Sequence, residues 1–315
     1  MTSVPGVVVG VDGSTTAAIA LVAALEEGLR RGVGVTAVLA YPGPGSWGDG
    51  DGDAGDPAPD RMAAAVLEQA ERYVDEATIP VSAELRGVAL EVRVRAGSPA
   101  PVLAEAAQDA DLLVVGHRGR GMVGRAVLGS TGVRLLALAS CPVLVVRPRA
   151  PGPEGAVVVG IDRSANSAAA LRYALADALR RGVGVVAVTG AAPPPSTVGF
   201  RPLPAMTLAE VRAGLEPRVE QFVGAVVAEH RRCHHVPEVD VVVRAEDPTH
   251  AVVEVAEQRG APVVVVGRTG RGALARWLLG SVAQGAVLHA PCPVVVVPDD
   301  TAPGHPEETD GEGDD

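Results

Sequence analysis

Short apolar runs alternate along this chain with longer stretches that carry a single apolar stripe. In the first half, Val7–Val11, Val35–Ala40, Leu90–Arg95, Leu112–Val115 and Val143–Val146 have strand length and are rich in Val and Leu. Thr15–Arg31, Met62–Glu76, Ala100–Gln108 and Gly129–Ala139 have helical length and an Ala/Leu-rich face, and Asp12 or Ser14 stands where a cap is needed. Apolar strands separated by helices predict a parallel sheet covered on both faces. Crossovers in such a sheet are right-handed, and a ligand sits beyond the carboxyl ends of the strands at the switch point.

The pattern then repeats. Gly6-Val-Val-Val-Gly-Val-Asp12 returns as Ala156-Val-Val-Val-Gly-Ile-Asp162, and Leu29-Arg-Arg-Gly-Val-Gly-Val35 returns unchanged as Leu179 to Val185. Leu112 to Gly116 answers to Val263 to Gly267, and Cys141 to Val146 answers to Cys292 to Val297. The offset stays between 149 and 151 residues, far longer than a solenoid repeat, so it marks duplicated domains. The expected division is 1–148 and 156–298, joined by a linker at 149–155 that overlaps the Pro-rich Arg147–Pro153, where the boundary falls. The predicted architecture is α/β: two tandem doubly wound domains, each a five-stranded parallel sheet with helices on both faces. Pro42–Asp60 reads as an acidic mobile loop, its counterpart Ala191–Ala205 is Pro-rich, and 299–315 reads as an acidic disordered tail.

Composition narrows the chemistry. Hydrophobic residues make up 47% and aromatic ones 2%, so Val, Leu and Ala must build the core. No apolar run reaches about 18 residues, and the start lacks a basic, signal-like segment, which makes a cytoplasmic protein without membrane attachment the expectation. A net charge of −11 lacks the basic footprint that nucleic acid requires. All 27 basic residues are Arg, which excludes any mechanism that needs a lysine, the P-loop lysine included. The three cysteines are too scattered for a disulfide framework. Cys141 and Cys292 read as small buried hydrophobes, and Cys233-His234-His235 as a weak metal motif whose adjacent side chains diverge.

The motif with most chemical content follows the fourth strand. Gly116, Gly119, Gly129 and Ser130 are spaced Gly, two residues, Gly, nine residues, Gly-Ser, and Gly267, Gly270, Gly280 and Ser281 repeat that spacing. Glycines at a strand end let backbone approach a ligand. Gly129-Ser130-Thr131 opens a helix whose free amides favour phosphate, and Arg118, Arg120 and Arg125 lie in the same loop.

These residues, with Val7 to Ser14 and Ser140 to Val146, resemble the universal stress protein family in its ATP-binding, tandem two-domain form. The resemblance covers both halves outside the loops and tail. It implies an adenine nucleotide alpha hydrolase-like fold, ATP together with Mg²⁺ as ligand, and a regulatory role under stress. It implies that Asp12, and Asp162 in the second half, contact adenine beside Gly13 and Ser14. It also places backbone near Val38 along the adenine and Gly97-Ser98-Pro99 beside the nucleotide. Pairing through the last strands is implied too, either as a pseudo-dimer within the chain or as a homodimer, with a further protein partner unspecified. The second half departs from the pattern: Glu246-Asp247-Pro248 stands where the first half has Gly-Ser-Pro, and Arg163 replaces Gly13. Carboxylates near a triphosphate are unfavourable without a bridging metal, so the first site is expected to be the functional one. Slow ATP hydrolysis or nucleotide-dependent transfer, with His117 as base, is one alternative; a non-binding interaction module, above all in the second half, is another. The turn after the first strand lacks the G-x-G-x-x-G of a dinucleotide dehydrogenase.

Overall fold

The computed structural model describes residues 6–43, 59–117, 130–147, 155–191, 197–198, 201–202, 207–270 and 279–299. The first half runs β1 (Val7–Val11), α1 (Thr15–Arg31), β2 (Val35–Tyr41), α2 (Pro59–Thr78), α3 (Ala83–Arg86), β3 (Leu90–Ala96), α4 (Pro99–Ala106), β4 (Leu112–Gly116), α5 (Ser130–Leu138) and β5 (Val143–Val146). The second runs β6 (Val157–Gly160), α6 (Ala165–Arg181), β7 (Val185–Gly190), β8 (Thr197–Val198), β9 (Arg201–Pro202), α7 (Leu208–Arg231), β10 (Val239–Arg244), α8 (Pro248–Gln258), β11 (Val264–Gly267), α9 (Ser281–His289) and β12 (Val294–Val297).

Local signals set the ends of the longest matched helices. Ser14 caps α1 by accepting the Ala17 amide at 3.2 Å, and Ser164 caps α6 by accepting that of Ser167 at 3.1 Å. Both helices stop at a glycine in the left-handed region, Gly32 at φ 68° and Gly182 at φ 70°. Arg30-Arg31 and Arg180-Arg181 occupy the last turns, where positive charge suits the helix dipole.

Ten strands form one sheet in the order β10-β7-β6-β11-β12-β5-β4-β1-β2-β3. All neighbours are parallel except β12 and β5, which meet antiparallel with Val295 opposite Leu144. Each half is therefore a five-stranded parallel sheet, and the two are fused at their last strands. One apolar layer, containing Leu21, Leu25, Leu171, Leu175 and Val219, lies under α1, α2, α6 and α7. The other, containing Leu103, Leu135, Leu136, Val252 and Val287, lies under α4, α5, α8 and α9. Both layers run through both halves.

Polar groups reinforce the joint on each face. Between α1 and α6, Glu27 and Asp177, each 1% exposed, are embedded among arginines. Arg181 pairs with both carboxylates, Arg31 pairs with Glu27 at 3.2 Å, and Arg31 donates to the Tyr173 hydroxyl at 2.8 Å. Burial alone would raise the Glu27 pKa, but Arg181, Arg30 and Arg31 outweigh it and hold this carboxyl below its ordinary value. On the other face, Arg147 donates to the Leu288 and Ala290 carbonyls at the end of α9. Arg268 reciprocates, donating to Ala137 and Ala139 at the end of α5 at 3.3 and 3.1 Å. Each half thus supplies a guanidinium to the orphan carbonyls of a helix in the other.

Three local expectations change. The segment read as a loop to Asp60 ends earlier, because α2 begins at Pro59, a residue suited to a first helical turn. A short helix, α3, appears where Ser82 accepts the Leu85 amide. Within Ala191–Ala205, β8 and β9 pair as a small antiparallel ribbon. Cys141 and Cys292 are buried, and burial pushes the Cys141 thiol up to about 12, which leaves it unreactive. Among the described residues, the Cys233-His234-His235 run brings no three ligand atoms together; instead the His230 and His234 rings stack at 4.6 Å. Also among the described residues, no helix is long and apolar enough to cross a membrane.

Candidate functional site

The helix after β1 and the helix after β4 pack on opposite faces of the sheet, since α1 contributes to one apolar layer and α5 to the other. β1 and β4 are adjacent and parallel, so a crevice opens at their carboxyl ends. Asp12 and Gly116 stand at that point.

Asp12 is half-buried, and its Oδ1 accepts the Ser14 amide at 2.9 Å. Ser14 rather than Asp12 therefore caps α1, and Asp12 braces the turn. Gly13 between them has φ 77°, a conformation that favours glycine. Tyr73 from α2 donates to the Ser14 carbonyl at 2.7 Å and fixes the turn from above. Gly116 faces the start of α1 so closely that a Cβ there would lie 2.9 Å from the Thr16 carbonyl oxygen. Gly97, at φ 137°, ends the turn after β3, and Ser98 opens α4 without a side-chain capping bond. Val38 on β2 pairs in register with Gly10 of β1, its side chain buried in the core. Ser130 begins α5 and Thr131 is exposed beside it. Arg118, Gly119, Arg120, Arg125 and Gly129 lie outside the described residues.

The second half displays more of its glycine loop. A Cβ on Gly270 would come within 2.7 Å of Asp162 Oδ2, and one on Gly267 within 3.0 Å of the Asn166 carbonyl. The Gly280 amide donates to the Arg268 carbonyl at 2.8 Å, and Ser281 starts α9. Asp162, Gly267, Gly270 and Gly280 are thus brought together. Asp162 accepts the Ser164 amide at 2.9 Å, repeating the turn at Asp12.

The halves differ in what surrounds this frame. Arg163 occupies the place of Gly13 at φ 66°, the one non-glycine residue with positive φ among those described. Thr269 accepts a hydrogen bond from Asn166 and donates to Asp299 at 3.0 Å, and Arg268 pairs with Asp299 at 3.2 Å. After β10 come the carboxylates of Glu246 and Asp247, the latter capping α8 through the Thr249 and His250 amides. Tyr73, Asn166 and Asp299 carry no sequence motif; the departure of Glu246 and Asp247 from the first-half pattern was the readable signal.

A doubly wound unit with a glycine-lined crevice at its switch point, present twice and fused through its last strands, defines the class of protein. The universal stress protein family model matches residues 6–147 and again 155–298, and the chain belongs to that family, with its role in stress response. It is 36% identical over 241 residues to a universal stress protein of Mycolicibacterium smegmatis, covering 73% of this chain and 75% of that one. With a universal stress protein of Mycobacterium bovis it shares 32% over 306 residues, covering 92% and 96%. The crystal structure of a universal stress protein from Archaeoglobus fulgidus superposes with a TM-score of 0.63 at 20% identity, over 93% of this chain and 96% of that one, a likeness of fold.

Proposed function

We propose that the first half binds an adenine nucleotide, ATP with Mg²⁺, and that the chain acts as a nucleotide-dependent regulator in stress response. The observation that carries this reading is the bare backbone at the β1/β4 crevice. Gly13 at φ 77°, and Gly116 packed so closely on the Thr16 carbonyl that no Cβ fits, leave the edge of the crevice as backbone. Asp12 offers its carboxylate at the same place, suited to the donor edge of adenine. Amides at the start of α5, with Thr131 exposed beside them, suit phosphate. The second half keeps the glycine frame but has Arg163 for Gly13 and Glu246-Asp247 where the first half has Gly97-Ser98, and carboxylates repel a triphosphate at short range. The reading is therefore one nucleotide per chain.

Calorimetric titration of nucleotide-stripped protein with Mg²⁺ and ATP tests it, alongside Gly119→Val and Gly270→Val. The expected result is about one equivalent per chain, lost in Gly119→Val and kept in Gly270→Val. Two equivalents would assign binding to both halves. No binding to the unmodified chain would overturn the nucleotide reading and favour an interaction module.

A further inference from the structure

The edge of the second half carries a cluster in which Glu246, already read as unfavourable to a triphosphate, meets two further donors. β10 ends at Arg244, Glu246 lies two residues further, and His250 and Glu254 follow one turn apart on α8. Each of the three offers a ligand atom, and those atoms all lie within 4.8 Å of one another. His250 Nδ1 is 2.7 Å from Glu246 Oε2. The other oxygen, Glu246 Oε1, is shut off from solvent with no hydrogen-bond partner. A carboxylate oxygen placed so is costly unless a cation faces it. A simple Glu246–His250 pair accounts for Oε2 alone and leaves Oε1 without a partner.

The first half serves as an internal comparison. Its residues at the corresponding positions are Gly97, Pro101 and Glu105, so two of the three donors are missing. There Arg95 neutralises Glu105 at 3.7 Å. The corresponding Arg244 instead donates to Gln258 Oε1 at 2.9 Å and leaves Glu254 to the cluster. Gln258 in turn donates from Nε2 to Glu254 Oε1 at 2.8 Å, the kind of outer hydrogen bond that orients a ligating carboxylate.

We propose that Glu246, His250 and Glu254 form a divalent-cation site, one per chain, confined to the second half. One imidazole nitrogen and two carboxylate oxygens suit a borderline ion such as Zn²⁺ or Co²⁺ better than Ca²⁺ or Mg²⁺. Metal–ligand bonds of about 2.0–2.2 Å place donors roughly 3.4 Å apart in a tetrahedron. Rotation of the exposed His250, whose side chain is 66% exposed, and of Glu254 closes the remaining distance. The open side leaves a position for water. Bound there, the ion ties the end of the edge strand β10 to the first two turns of α8, independently of any nucleotide in the first half.

The test is Co²⁺ titration of the full chain, freed of metal and nucleotide, followed by visible absorption and by Zn²⁺ competition. The expected result is one equivalent with d–d bands and no thiolate charge-transfer band. Affinity should fall roughly 10- to 100-fold or more in His250→Ala and in Glu254→Gln, and stay unchanged in Cys233→Ser. Thermal melting of the metal-free variants should match that of the metal-free parent, which separates loss of ligand from loss of fold. A thiolate band that vanishes in Cys233→Ser, equal affinity in the His250 and Glu254 variants, or no stoichiometric binding would each overturn the proposal.

Discussion

Position 163 puts an arginine where the backbone asks for glycine. An L-residue in the left-handed region carries a penalty of roughly 1–2 kcal/mol, which glycine escapes at a smaller cost in unfolded-chain entropy. Arg163→Gly should therefore stabilise the chain by about 0.5–1 kcal/mol in urea unfolding, and Gly13→Ala should destabilise it by about 1 kcal/mol. A neutral Arg163→Gly would mean that the guanidinium makes contacts worth as much as the strain. At this scale the sequence was informative wherever the two halves could be compared. Asp12 with Asp162, the paired glycines and the Glu246-Asp247 departure all emerge from the repeat. Arg147 and Arg268 do not. They do the same work from non-equivalent positions, since the counterpart of Arg268 is His117 and that of Arg147 is Pro298, so alignment of the halves conceals their shared role.

Among the elements, α1 and α6 depend on the charges between them. Removing one member of a buried ion network leaves its partners uncompensated, at about 3–5 kcal/mol. Glu27→Gln should lose stability of that order at neutral pH, with Arg31 and Arg181 left facing an uncharged amide. Because the folded-state pKa of Glu27 lies below its ordinary 4.5, its contribution is complete above that value and is lost as pH falls through the lowered one. Urea midpoints of the parent and of Glu27→Gln should accordingly converge on acidification below about pH 4.5. A difference that persists to low pH would show that the carboxyl acts by shape rather than charge. The helices themselves were legible from their stripes and caps, and the unchanged Leu-Arg-Arg-Gly-Val-Gly-Val marked the place of this network. Its burial was not legible, because charged residues near a helix end are ordinarily solvated.

For the whole molecule, the decisive fact is that neither apolar layer stops at the linker. The halves should unfold together, with a single urea transition and equal opening free energies in hydrogen exchange for β4 and β11 amides. Two separated transitions would show that the joint is weaker than the shared core implies. Five strands per half could be read from the apolar runs, and the apolar last strands were visible as edges in need of a partner. The strand order, and the union into one ten-stranded sheet, depend on pairings between segments far apart in sequence that no local pattern encodes. The antiparallel union of β5 with β12 carries one more consequence. Two separate copies would part on dilution and would receive every substitution twice, once in each. Tethered in one polypeptide, the partners stay at a fixed effective concentration, and each substitution falls on one side only. An arginine at 163, or a histidine at 250, thus marks one half while Gly13 and Pro101 stand at the twin positions of the other.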